Sequence, residues 1–226
     1  MRIGIRTIDD IALLKSREVS ESSENIDTRL HLYSTNKLVD SHNDRILNSL
    51  PGPLRILEAL DKLPETCAGL QISSDSRHTG GLFRKLCLKI NCHVMLIRNV
   101  LVEHGLVNGA LGIVTGFQEN NSTCRPKAIL VRFDDLALQI WASTEYTGCD
   151  GSVPIEMFEA RFPLSPKRGT KAVEGSRLQF PIRLAFATTV HKCQGQTLDR
   201  VVVNMGGRFG PGQAYKAIAI LKGRIY

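Results

Sequence analysis

The stretch Phe180-Pro-Ile-Arg-Leu-Ala-Phe-Ala-Thr-Thr-Val-His-Lys-Cys-Gln-Gly-Gln-Thr-Leu-Asp199 decides how this chain is read. A strand that ends in Thr189-Val-His191-Lys192 brings polar and basic groups to the carboxyl edge of an α/β sheet, the edge at which such sheets hold ligands. Gly195 lets the backbone approach a partner closely. Gln194 offers both a donor and an acceptor. Val201-Val202-Val203 follows as a compact buried-strand candidate, and the chain from Gln213 onward has helical character.

Working upstream, the middle third is a series of short strand candidates separated by turns. They are His93 to Arg98, Leu111 to Phe117, Ala128 to Phe133, Leu138-Gln-Ile-Trp141, Val153 to Phe162 and Leu178 to Leu184. Gly105-Leu-Val-Asn108-Gly109 carries the Asn-Gly turn signal. Such a set predicts a small barrel. The first third is more polar. Asp9-Asp10 opens a short helix, residues 18–28 form a Ser- and Glu-rich loop, and Leu30-His-Leu-Tyr-Ser alternates like a half-buried strand. Lys37 to Leu50 follows as a helix capped by Thr35 or Asn36, and Pro51-Gly52-Pro53 stops it. Residues 64–82 carry no clear element signal. An α/β start, an all-β centre and an α/β end predict one domain interrupted by another.

Composition narrows the function classes. The 226 residues include 29 Lys and Arg against 22 Asp and Glu, a formal charge of +7. That surplus permits a nucleic-acid partner without requiring one. Hydrophobic residues at 42% can supply a core. No apolar run approaches the ~20 residues of a membrane span, so no membrane partner is expected. Met1 to Leu14 lacks an apolar core and a cleavage site, so no secretion signal is predicted. The six cysteines (Cys67, Cys87, Cys92, Cys124, Cys149 and Cys193) lack paired C-x2-C spacing and are read as free structural thiols. The six histidines are scattered and form no H-E-x-x-H, so no metal site is predicted.

Phosphate-binding signals are missing as well. The chain has no G-x-x-x-x-G-K-[ST], and Gly169-Thr170-Lys171 has the wrong order. Neither Asp9-Asp10 nor Asp134-Asp135 follows the buried apolar run that a magnesium-holding acidic pair needs. No catalytic residue is assigned.

Three blocks resemble the petite-integration-frequency (Pif-one-like) DNA helicases, ATP-driven motors of superfamily one. Leu30-His-Leu-Tyr-Ser-Thr-Asn-Lys-Leu-Val-Asp-Ser-His-Asn43 is similar to the strand-Thr-Asn-helix motif that opens the family's second RecA-like domain. Leu88-Lys-Ile-Asn-Cys-His-Val-Met-Leu-Ile-Arg-Asn99 with Gly105-Leu-Val-Asn-Gly-Ala-Leu-Gly-Ile-Val114 is similar to the family's inserted Src-homology-three-like barrel. The stretch quoted first resembles helicase motif five, and Phe209-Gly-Pro-Gly-Gln-Ala-Tyr215 leads toward motif six. The resemblance implies an α/β fold, a second RecA-like domain interrupted by a small all-β barrel. Its segments would be residues 1–84 and 181–226 of the RecA-like domain and residues 85–180 of the insert.

By the same resemblance, Thr35, Asn36, Thr189, His191 and Lys192 contact single-stranded DNA. Gln194 and Gly195 face the nucleotide cleft. Thr35 and Asn36 can cap the helix and contact phosphate together. Asn108-Gly109 is favoured as a plain turn, and Trp141 as a core residue over a base-stacking one. Arg98 and Arg183 belong to a class that usually faces solvent. ATP and magnesium are the cofactors of the intact family, and a nuclear or mitochondrial setting is implied for a eukaryotic source.

The chain also departs from the family. The N-terminal motor lobe, which carries the phosphate loop, has no counterpart in this sequence. Ala219 and Ile220 stand where the Ser-Arg pair of motif six belongs, and Arg224 comes four residues late. Ile220 cannot supply charge to phosphoryl transfer, a role worth ~10³–10⁵ in rate for arginine fingers. The expectation is a C-terminal helicase portion, inactive alone, whose partners are single-stranded DNA and a separate N-terminal lobe. The alternatives are a non-catalytic nucleic-acid-binding module derived from a helicase and a degenerate gene fragment.

Overall fold

The computed structural model describes residues 16, 29–65, 72–120, 125–146, 150–164, 173–193 and 201–204. The helix start at Asp9-Asp10, the 18–28 loop, the motif-five residues from Gln194 to Thr197 and the motif-six region from Phe209 onward lie outside the described residues. In chain order the elements are β1 (Leu30–Tyr33), α1 (Asn36–Ser49), β2 (Arg55–Glu58), β3 (Leu60–Lys62), β4 (Lys85–Leu88), β5 (His93–Leu96), β6 (Leu111–Gln118), β7 (Ala128–Phe133), α2 (Leu136–Glu145), β8 (Val153–Glu156), β9 (Phe158–Leu164), β10 (Val173–Gln179), β11 (Ile182–Leu184), β12 (Ala187–Thr189) and β13 (Val201–Val203). The fold is mixed α/β. Its contacts divide it into two compact units, residues 1–39 with 188–226 and residues 40–187.

The first unit is built on a three-stranded sheet in the order β12-β1-β13. β1 and β13 run parallel, with Leu30 opposite Val201 and Leu32 opposite Val203. Leu30, His31 and Leu32 are buried in succession. Unbroken burial is what a central strand covered on both faces requires, and it replaces the alternation expected for a half-buried strand.

In the second unit, five strands pair antiparallel in the order β11-β5-β6-β7-β8. Two smaller sheets accompany them, β2-β4 and β3-β10-β9. Among the described residues no pairing closes a sheet on itself, so the expected closed barrel is not found. The core gathers Leu88, Leu96, Val114, Ile129, Val131, Ile155 and Ile182 from these strands with Ile46 and Leu47 from α1. Each such fully buried side chain contributes about 1.5–3 kcal/mol relative to exposure.

Turn chemistry follows the sequence closely. Gly109 takes φ 98° at the predicted Asn-Gly turn, and the amide of Asn108 donates to Asn99 Oδ1 at 2.8 Å. Gly112 permits the close β6–β7 approach, since a Cβ there would meet Arg132 O at 2.7 Å and Val131 Cγ1 at 2.8 Å.

The strand expected over Leu138 to Trp141 is instead part of helix α2. Asp135 caps that helix, its carboxylate accepting from the amides of Ala137 and Leu138 at 2.8 and 3.2 Å. The buried positions are Leu138 and Ala142, a helical spacing, while Ile140 is 60% exposed. A four-residue alternation was too short to outweigh the cap. Strands β2, β3 and β4 were not foreseen. They are three or four residues long, and exposed Ile56 and Leu60 obscure their patterning.

Two cations hold backbone together inside the second unit. Lys89 Nζ donates to Leu50 O at 2.6 Å and Asn48 O at 3.5 Å, at the carboxyl end of α1, where a cation suits the helix dipole. Arg177, with no exposed surface, pairs with Asp61 on the neighbouring strand β3. Cys87 and Cys92 are free thiols. No helix among the described residues is long and apolar enough to cross a membrane.

Candidate nucleic-acid interface

Thr35 and Asn36 stand where β1 gives way to α1. The Thr35 carbonyl accepts from the Val39 amide at 3.3 Å, which makes Thr35 the N-cap and Asn36 the first helical residue. Both side chains are exposed, as is Lys37. No acidic residue occupies the first turn of α1. The unpaired amides and partial positive charge of a helix N-terminus favour an anion there.

The second candidate segment leaves the adjacent strand of the same sheet, since β12 and β1 are neighbours. β12 is buried throughout, with Thr189 at 7% exposure. A 3-10 turn over Val190–Cys193 follows, in which Val190 is buried while His191 and Lys192 are exposed. The structure therefore puts four of the five predicted strand contacts on the surface and sets Thr189 within the sheet. Gln194 and Gly195 lie outside the described residues.

Several polar groups near these segments were not singled out from sequence. Asn204 extends the β1–β13 ladder by donating its amide to Leu32 O at 3.0 Å, and its Nδ2 lies 3.2 Å from His31 Nδ1. Ser34 Oγ and Thr188 Oγ1 are buried with no hydrogen-bond partner in the structure. An unpaired buried hydroxyl costs about 1–3 kcal/mol, and each of these two directly precedes a predicted contact residue. No sequence signal separates them from ordinary strand-end residues.

The other aromatic and basic candidates are engaged in packing. Trp141 packs against the core of the second unit, and its ring is stacked by His104 at 4.1 Å with a 14° interplanar angle. Tyr146 meets it edge-on at 5.7 Å. The Arg98 guanidinium carbon lies 3.9 Å from the centroid of the Phe158 ring. Arg183 is buried at 7% exposure, contrary to the solvent-facing expectation. Among the described residues no group of three or more His, Cys, Asp or Glu could hold a metal ion.

Comparison with known proteins adds four findings. Residues 80–117 match the family model described as DNA helicase Pif1, 2B domain. The ATP-dependent DNA helicase PIF1 of Rattus norvegicus is 32% identical over 229 residues, which cover 92% of this chain and 31% of the rat protein. Among solved structures, the Pif1 helicase of Candida albicans matches with 28% identity and a TM-score of 0.59, over 94% of this chain and 46% of that one. Bacteroides Pif1 bound to single-stranded DNA matches with 25% identity and a TM-score of 0.61, over 96% of this chain and 43% of that one. The chain spans less than a third of the length of the rat relative. The chain is thus similar to the C-terminal portion of the ATP-dependent DNA helicases named Pif1.

Proposed function

We propose that this chain is the C-terminal part of an ATP-dependent DNA helicase that translocates on single-stranded DNA and opens duplex. Residues 1–84 and 181–226 form its second RecA-like domain, and residues 85–180 form an inserted Src-homology-three-like domain. The 2B-domain match over residues 80–117 supports that insert. Exposed Thr35, Asn36, His191 and Lys192 hold the strand's phosphates, and Thr189 completes the edge beneath them. The observation that carries the reading is that these two segments leave adjacent strands of one sheet, in a chain similar to a Pif1 seen with single-stranded DNA.

Gln194 and Gly195 face the nucleotide. ATP and magnesium belong to the intact motor, whose phosphate loop sits on a separate N-terminal lobe.

Anisotropy titration of a short labelled single strand, without ATP and across a salt series, tests the reading. Affinity is expected to fall as salt rises, with each lost phosphate contact reducing the log–log slope by about 0.7. Lys192→Ala is expected to remove one such step. Salt-indifferent binding, or clear DNA-stimulated ATP turnover by the chain alone, would overturn it.

A further inference from the structure

Asn43 lies on α1, two helical turns beyond Asn36. It is 5% exposed. Its Nδ2 donates to the carbonyl of Ala187 at 3.2 Å, and its Oδ1 accepts from the amide of the same residue at 2.7 Å. One carboxamide thus occupies both backbone polar groups of a fully buried residue 144 positions away in sequence. Both residues belong to the same compact unit, residues 40–187.

Ala187 is the first residue of β12, a strand only three residues long. A strand that short has few ladder bonds of its own, so the side-chain amide acts as one residue of a neighbouring strand. A slip of one residue would turn every following side chain to the opposite face. Thr189, His191 and Lys192 follow Ala187 by two, four and five positions.

We propose that Asn43 is a positioning residue for the segment Thr189 to Lys192: by clamping Ala187 it sets the register in which that segment leaves the sheet. The inference rests on the strand-binding reading for its functional consequence, and its structural part stands apart from DNA. Packing alone would need only a side chain of this volume. The clamp needs one donor and one acceptor side by side, which a carboxamide supplies and a protonated carboxylic acid can reproduce.

The test compares hydrogen-exchange protection in the full chain, its Asn43→Ala variant and its Asn43→Asp variant, with intrinsic rates corrected for pH. Asn43→Ala is expected to lose about tenfold protection or more across Thr188 to Lys192, with β6 and β7 unchanged. In Asn43→Asp, the ionised carboxylate still accepts from the Ala187 amide but repels its carbonyl oxygen. Protection should therefore be low at neutral pH and recover as the carboxyl protonates. Loss confined to Ala187 itself, or no recovery of Asn43→Asp with falling pH, overturns the proposal. Should Asn43→Ala fail to fold, the pH response of Asn43→Asp decides.

The DNA arm uses the same short labelled strand with Lys192→Ala as reference. If Lys192→Ala weakens binding and Asn43→Ala does not, positioning fails. If Lys192→Ala has no effect, the strand-binding reading fails, and the exchange result alone decides whether Asn43 sets the segment.

Discussion

Asp61→Ala is the substitution whose cost the structure defines most fully. Arg177 lies entirely buried on β10, directly opposite Asp61 on β3. Its Nε and Nη2 donate to the two Asp61 carboxylate oxygens, both at 2.7 Å. Its Nη1 donates to Thr79 Oγ1 at 3.0 Å and Leu82 O at 3.2 Å, and Nη2 also donates to Ser73 O at 3.1 Å. All five donors of the guanidinium are therefore satisfied. The substitution removes both charge-assisted bonds and leaves a buried cation facing neutral acceptors. Removing one partner of a buried pair costs about 3–5 kcal/mol. The Asp61 side chain is 26% exposed, so water reaches the vacated end, which places the loss at about 3 kcal/mol.

In a unit of this size that loss lowers the melting temperature by about 6–12 °C. Urea denaturation followed by circular dichroism checks it, with the midpoint shifting and the slope unchanged. Arg177→Met in the Asp61→Ala background removes the stranded cation. The double variant is expected to be no less stable than Asp61→Ala alone, with a coupling of about 2 kcal/mol or more. A loss below about 1 kcal/mol for Asp61→Ala, or single losses that simply add, would refute the reasoning.

The remaining expectations concern packing and pH. Gly112→Ala drives a methyl into the β7 backbone at 2.7 Å from Arg132 O; a loss of about 1–3 kcal/mol in urea denaturation is expected, and a neutral result would contradict the close β6–β7 approach. His93, stacked on Phe186 at 5.2 Å, is held below its ordinary value of 6.5 by burial, with the Asp134 charge pulling upward. The unfolded chain therefore takes up that proton first as pH falls, so the stability contributed by the neutral ring is present above pH 6.5 and declines below it. Asp134, raised above 3.8 by burial, has the opposite sign: its contribution is lost as pH rises through the carboxylate range. His93→Gln should flatten the fall in thermal stability between neutral and mildly acid pH, and an unchanged slope would exclude His93 as its source.

The parts legible in the sequence were those governed by nearby residues. Leu30 to Tyr33 and the capped helix after Thr35 are local patterns, as are the strands around Val94, Ile113 and Val131. The Asn108-Gly109 turn belongs with them, because the φ it needs is positive and glycine supplies it at once. The family resemblance was legible for the same reason, since its motif residues sit together along the chain. The exposure of His191 and Lys192 followed from their place after a buried strand.

Tertiary structure decided what depends on distant partners. Whether Leu138 to Trp141 became strand or helix turned on which face met the core, with Leu138 and Ala142 buried and Ile140 exposed, which four alternating letters could not reveal. Arg177 stands in a strand like any exposed arginine until Asp61, 116 positions earlier, arrives to neutralise it. Asn43 ends a recognisable motif, yet its role exists only once Ala187 lies beside it. Periodicity and capping are set within a few residues, so the sequence alone determined β1, helix α1, most of the strands of the second unit and the resemblance to the Pif1 helicases. Burying a charge or a carboxamide requires acceptors drawn from across the chain, so only the folded structure decided which polar residues hold it together.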